Sequence, residues 1–416
     1  MNGPNKSVMI WVLTALTAIL SASFGCGGNG GDDTGSQDVI QEVFEDSLAD
    51  TAGDISTDEG SGEAISLDKP AGIALAGAWT DAWGTMHDIT SGLWLQNYSG
   101  TLSSFEILIW NNGPSIGGAG WAVARNSNNN QYSAGLFSRF DWTTKNGTTY
   151  FCNTAWDKAT SDEAIAVQPA DASDPANSGC GGFGWTGLTA VEPPAPEALP
   201  TDTRPMDLVV EAPGASGEGT GDPRNAVNGV RGGGALTGGT DVYSISAVTG
   251  SFLVLALDGF SIGNGPGAEL VVFENPFNYG DGGVFMDQTI VQVSRDGITW
   301  VSFPFDFTAE DETSYSTDPA YWDGFAGVTP VIFNQDIDPN ADPFNAETAG
   351  GDAFDLDRLD QDDPDAAAVA RHGFRFVRLL PARTVLNPDT EQAFVSDPIS
   401  NGPDIDGIYV RYAVEN

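Results

Sequence analysis

Two short stretches, Phe354-Asp355-Leu356-Asp357 and Asp404-Ile405-Asp406, repeat one pattern: carboxylates two residues apart around an apolar residue. On an extended strand that spacing sends both carboxylates to one face and the apolar side chain to the other. A third carboxylate, Glu274, ends the apolar run 268–273 and is followed by Asn275-Pro276, so a buried strand would deliver it to a sheet rim. Glu274, Asp355, Asp357, Asp404 and Asp406 together offer the hard oxygens that calcium takes, and a structural Ca2+ is the cofactor this set suggests. The spacing does not match an EF-hand, so such a site would be assembled from separate segments. The competing reading makes each carboxylate a solvated or N–H-bonded member of an Asp-rich turn. The runs 336–342 and 360–365 read as plain solvated acidic loops.

Other chemistry is sparse. The chain has two histidines, His87 and His372, in different parts of the sequence. No Gly-x-Ser-x-Gly elbow comes with a plausible triad. The Gly-rich run 229–239 lacks the Gly-Lys-Ser/Thr of a phosphate loop and reads as a tight surface loop. No catalytic residue is assigned, and the chain reads as non-enzymatic. Two alternatives stay open: a secreted hydrolase using a carboxylate pair on a glycan, and a purely structural envelope protein.

The elements that must position these residues read as all-β. The chain holds 52 Gly and 24 Pro in 416 residues, with few stretches of helical period. Residues 70–190 hold eight of the 11 Trp: Trp79, Trp83, Trp94, Trp110, Trp121, Trp142, Trp156 and Trp185. Strands are expected at 92–97, 104–110, 120–125, 136–143 and 148–154. Asn146-Gly147 is a type I′ hairpin signal between the last two. Thr160 and Glu163 have the spacing of a capping box. This domain is expected to be a small antiparallel barrel or sandwich. Its Trp set could line a calyx or a sugar-stacking face, but the preferred reading is that it fills a small core.

A Pro-rich spacer, 191–205, leads to a second domain, 206–416, expected to be a β-sandwich of jelly-roll type. Its strands include 252–257, 268–273, 289–294, 298–303 and 374–380. In 289–294, Val291 and Val293 share one face and Gln292 and Ser294 the other. In the last strand, 407–414, Ile408, Val410, Tyr412 and Val414 alternate inward. Tyr279, Tyr321 and Trp322 could form an aromatic contact surface or pack down on the long insertions.

With 58 acidic and 16 basic residues, the net charge is −42. Such a surface repels nucleic acid and anionic lipid, so neither is an expected partner. Residues 1–25 have a charged start, an apolar run and a small-residue exit, the plan of a signal peptide. Residues 26–69 are Gly, Asp, Glu, Ser and Thr with few large apolar side chains, which reads as a disordered acidic tether. Of three cysteines, Cys152 and Cys180 can pair in an oxidising compartment, leaving Cys26. Oligomeric state is not legible.

Two resemblances add to this. Ser23-Phe24-Gly25-Cys26 resembles a bacterial lipobox, which implies Cys26 as the lipid-attachment residue. It also implies a cell-envelope location, at the outer membrane or cell surface, held through the lipid anchor only. Residues 265–277 and 291–301, Phe374-Arg375-Phe376-Val377-Arg378 and Asp404-Ile405-Asp406-Gly407 look like a family of uncharacterised bacterial cell-surface lipoproteins. Asn225-Ala226-Val227-Asn228-Gly229 is similar to an element of galactose-binding-like (discoidin-type) sandwiches. That fold implies glycan or cell-surface protein partners, often with structural calcium.

Overall fold

The computed structural model of the chain describes residues 64–67, 72–113, 119–192, 199–217, 220–280 and 282–416. The expected signal peptide, Cys26 and most of the tether lie outside these residues, as do residues 193–198 of the spacer.

Eight strands close into an antiparallel barrel in sequence order: β1 (Gly77–Asp81), β2 (Met86–Ile89), β3 (Leu93–Tyr98), β4 (Thr101–Asn111), β5 (Gly120–Asn126), β6 (Phe137–Lys145), β7 (Thr148–Lys158) and β8 (Thr186–Ala190). Closure leaves no unpaired sheet edge. Strands β3 to β7 are those the alternation predicts. β1, β2 and β8 carry no such signal, since GAWTD, MHDI and TGLTA mix polar and apolar residues on both faces. The β6–β7 turn has Asn146 at φ 53° and Gly147 at φ 79°, both positive as a type I′ turn needs.

The interior is filled. Trp94, Phe140, Trp142, Phe105, Phe151, Ile107, Ile89 and Leu188 form one buried cluster with Ala122 and Ala124. Trp94 stacks on Phe140 with ring centroids 4.4 Å apart. Small residues on β5 face large ones on β6: Ala122 pairs with Phe140 and Gly120 with Trp142. A Cβ on Gly120 would meet the Trp142 ring at 2.3 Å, so the strand crossing requires glycine there. Trp94 and Trp142 are therefore core, as preferred, whereas the buried Trp185 belongs to the covering segment and donates to Asp171 O.

Residues 159–185 leave the end of β7 and cover the outer wall. Thr160 caps the helix Ser161–Ile165 by accepting from the Glu163 main-chain N–H (3.2 Å). Beneath it the buried Arg139 pairs with Asp141, donates to Ile165 O and lies over the Trp121 ring. Cys152 and Cys180 form a disulfide that ties this segment to β7. Closing a loop of 28 residues restricts the unfolded chain, so loss of the bridge is expected to cost about 3 kcal/mol. A lower melting temperature in reductant, matched by Cys180→Ala, would check this.

The second domain is a β-sandwich. One sheet runs Leu208–Glu211, Leu253–Ala256, Phe376–Pro381, Thr289–Ser294, Val301–Ser302. The other runs Asp352–Phe354, Leu270–Phe273, Gly407–Val410, Arg204–Pro205. Leu253, Leu255, Val291, Val293, Val377 and Leu379 of the first face Leu270, Val272, Phe354, Ile408 and Val410 of the second in one core. The polar face expected for 289–294 is also covered. Gln292 is buried and accepts from Arg378 (2.7 Å), whose guanidinium lies 4.3 Å from the Trp300 ring centroid.

The last strand differs from its expectation. It stops at Val410, and Tyr412 takes φ 64°, a left-handed conformation costly for an aromatic residue. The switch breaks the alternation, so Ala413 turns inward and Val414 is 38% exposed. Tyr412 is held by its hydroxyl on Pro266 O (2.7 Å) and by the bare Cα of Gly265 against its ring. Trp322 packs down, stacked on Phe307 at 3.8 Å, while Tyr279 and Tyr321 stay partly exposed.

The two domains touch directly. The β2–β3 loop docks on the sandwich through Ser91, which donates from its N–H (3.0 Å) and hydroxyl (2.5 Å) to Asp365. Gly92 N–H donates to Thr299 Oγ1, Thr90 to Asp296, and Asp88 pairs with Arg295. Asp365 is 2% exposed, so the run 360–365 is not a plain solvated loop. The flanking segments also belong to the sandwich. Arg204–Pro205 is an edge strand beside Tyr409 and Val410. Ile65, within the stretch read as tether, pairs with Val385 through Ile65 N–H on Thr384 O and Leu386 N–H on Ile65 O.

Candidate functional site

The strand Leu270–Phe273 places the predicted carboxylates, and it separates them into two groups. Its start pairs with Phe354, so Asp355 and Asp357 follow next to Glu269. Its end pairs with Gly407, which puts Asp404 and Asp406 next to Glu274. From Glu269 to Glu274 the chain advances five residues, about 16 Å when extended. The five residues cannot therefore ligate one ion.

Asp355 and Asp357 do not project from a strand face either. The strand ends at Phe354, and Asp355 caps a 3-10 turn, Leu356–Arg358, accepting the Asp357 N–H (2.9 Å). An Asp side chain competes for nearby main-chain donors and breaks the strand. Asp357 accepts from Asn264 Nδ2 (3.0 Å). Phe354 and Leu356 are buried as expected.

Asp406 is used internally. Its two oxygens accept the Arg231 N–H at 3.0 and 2.9 Å. The Arg231 guanidinium fills the adjacent oxygen cluster, donating to Asn228 Oδ1, Asn228 O, Gly229 O and Asp241 Oδ2 between 2.8 and 3.3 Å. A built-in cation thus stands where those oxygens could have faced an ion. Burial pushes the Asp406 carboxyl up to about 7.

Glu274 and Asp404 do come together, joined by a residue the sequence reading missed. Glu274 is 2% exposed, and its Oε1 accepts the Asp404 N–H (2.8 Å). Asp404 also accepts the Ser244 hydroxyl. Asp287, 8% exposed, adds a third carboxyl. Burial, then the Asp287 charge, holds Glu274 well above the usual carboxylate range. Burial likewise pushes Asp287 up to about 7, with Arg383 the cation that opposes this. Asp287 sits in Met286-Asp287-Gln288, where one lone acid between non-acidic neighbours gives no local signal. Among the described residues, no three His, Cys, Asp or Glu side chains converge closely enough to cage a metal by themselves.

Both histidines make hydrogen bonds within the described fold. His87 Nδ1 accepts from Trp94 Nε1 (3.2 Å) inside the barrel, and burial lowers its pKa against the pull of Asp81. His372 Nε2 faces the Ala78 N–H at 3.4 Å across the domain contact. Burial, then Arg295 and Arg371, pushes His372 down to about 4. A neutral imidazole suits both acceptor roles.

A second candidate surface lies at the far end of the barrel. In an up-and-down barrel the β1–β2, β3–β4 and β5–β6 connections share one end, and the β2–β3 loop on the sandwich marks the other. The far end carries Trp83 (76% exposed), Tyr98 (56%), Tyr132 (77%) and, near the end of β7, Trp156 (58%). Asn126 Nδ2 donates to both Ser133 O and Trp156 O, which fixes the Tyr132 loop beside Trp156. The β1–β2 turn neighbours the β3–β4 turn through the Met86–Asn97 pair. Residues 95–105 and 126–136 contain no charged side chain, only amides, hydroxyls and apolar groups. Charge enters beside the two tryptophans: Asp81 accepts the Trp83 N–H (2.8 Å), and Trp156 is followed by the paired Asp157 and Lys158.

A comparison of the chain with protein-family models and with curated proteins finds no match.

Proposed function

We propose that this chain is a non-enzymatic cell-envelope lipoprotein, anchored through Cys26, that binds neutral glycan at the far end of its barrel. The observation that carries the reading is the set of four exposed aromatic side chains at this end, two of which, Tyr98 and Tyr132, lie in uncharged, amide- and hydroxyl-rich stretches. Flat aromatic faces stack on the apolar faces of sugar rings, and amides and hydroxyls match sugar hydroxyls. Stretches 95–105 and 126–136 hold no Lys or Arg, and Lys158 near Trp156 is paired with Asp157, which gives no reason to select acidic sugars or phosphate. The structural use of both histidines supports a binding role over catalysis. The sandwich, docked on the opposite end, would leave this end free to face outward from the cell.

The test is a glycan array carrying neutral and uronic-acid-bearing oligosaccharides, probed with the wild-type chain and with Trp83→Ala and Trp156→Ala. Neutral hits that weaken by about 2 kcal/mol in each variant, with unchanged melting temperature, are expected. Hits confined to acidic glycans, or binding unchanged in the double variant, would sink the reading. An empty array with a defined protein captured through the same tryptophans would move the partner class to protein.

A further inference from the structure

We propose that Glu274 and the main-chain carbonyl of Asp287 hold a divalent cation of the calcium type, with the Asp287 and Asp404 carboxyl groups as nearby charges. The starting point is Glu274 Oε2. It belongs to a side chain 98% removed from solvent and has no hydrogen-bond partner. A buried carboxylate oxygen left without a donor or cation is costly, so the space beside it calls for one. On its Gly327 side the neighbour is another oxygen, the Asp287 carbonyl, which also accepts the Thr289 hydroxyl (3.1 Å). A Cβ placed on Gly327 would lie 3.0 Å from Glu274 Oε2 and 2.5 Å from Asp287 O, so both oxygens front the same bare Cα. The Asp287 and Asp404 charges act on Glu274 from nearby.

The loop that closes this space is built to stay. Asp352 Oδ2 accepts the N–H groups of Gly327 (2.8 Å), Val328 (3.0 Å) and Thr329 (3.3 Å). Thr289 and Ala326 exchange main-chain bonds at 2.8 and 2.9 Å. Asp352 is thus a positioning residue, and its oxygen is committed to the loop. Carboxylates with a main-chain carbonyl are the oxygen donors calcium takes, and they offer nothing to a metal that prefers sulfur or imidazole. Among the described residues no three His, Cys, Asp or Glu side chains converge on one point, so main-chain oxygen and water would supply most of the shell. The rival arrangement is a proton shared between Glu274 and Asp287, with no ion.

The proposal is independent of the glycan reading, since the site lies in the sandwich. The experiment is thermal unfolding of the full-length chain after EDTA, then with CaCl2 added back, alongside calcium-binding calorimetry. A melting temperature that climbs with the logarithm of calcium, with one ion bound per chain, is expected. Glu274→Gln and Asp287→Asn should each lose the response while melting in EDTA no lower than wild type. The paired variant Asp355→Asn, Asp357→Asn should keep it. No calcium-dependent shift in the wild type would overturn the proposal in favour of the shared proton. So would a response that survives Glu274→Gln or, should that variant not fold, Asp287→Asn.

Discussion

Replacing Trp94 by alanine is expected to destabilise the protein by about 3–5 kcal/mol, a large share of the ~5–15 kcal/mol that holds a typical domain together. Trp94 has no exposed surface and lies against Phe140 (4.4 Å between centroids) and Phe151 (5.3 Å). Its loss would open a cavity that β-strands locked in a closed barrel cannot collapse to fill. It would also strip His87 Nδ1 of its donor. Urea unfolding followed by far-ultraviolet circular dichroism gives the number. Trp83→Ala is the control: at 76% exposure its cost should stay within about 0.5 kcal/mol. A Trp94→Ala cost below about 1 kcal/mol would mean that the interior is a yielding, ligand-lined space and not a packed core.

The protein is expected to be more stable at pH 5.5 than at pH 8. Glu269 is fully buried, and its carboxyl accepts the N–H groups of Gly265 (3.0 Å) and Leu356 (2.7 Å). Burial outweighs those bonds and pushes it up to about 7, and Asp355 and Asp357 add to the rise. Asp352 is pushed by burial to about 6. In the unfolded chain both titrate near 4, so between the two values the folded state holds more protons. The stability tied to Glu269 is fully present below its unfolded value and is lost as pH rises through about 7. From pH 8 to pH 5.5 this one group contributes about 2 kcal/mol. Relief of repulsion in a chain of charge −42 acts in the same direction, while His372, held down to about 4, opposes it in part by taking up its proton only on unfolding. Urea midpoints in EDTA at the two pH values check the sign, and Glu269→Gln should reduce the difference. A protein less stable at pH 5.5 than at pH 8 would contradict the argument.

What could be read beforehand was local. Asn146-Gly147 requires positive φ at two successive residues, so the β6–β7 hairpin needs no distant partner to be predicted. The same holds for the Thr160 cap and for strands whose alternation repeats every second residue, such as β5 to β7. The all-β class follows from many such signals pointing one way. Strands β1 and β8 were illegible because their pairing comes from barrel closure, with Thr80 against Thr189, and not from their own composition.

The carboxylates show the division most sharply. Sequence alone determined which residues could carry charge, that two pairs had strand spacing, and that two cysteines were free to bond. Tertiary structure decided the destinations. Asp355 spent its oxygen on a local turn, Asp406 on the Arg231 main chain, and Asp365 on the barrel, three outcomes from similar Asp-rich runs. Glu274 and Asp287, 13 residues apart, were brought to one place because strand pairing set the sheet rim beside the 326–329 loop, more than fifty residues further along the chain. A local motif carries the cost of its own conformation, and so can be recognised in isolation. The partner of a buried charge is fixed by the packing of whole sheets, which no short stretch encodes.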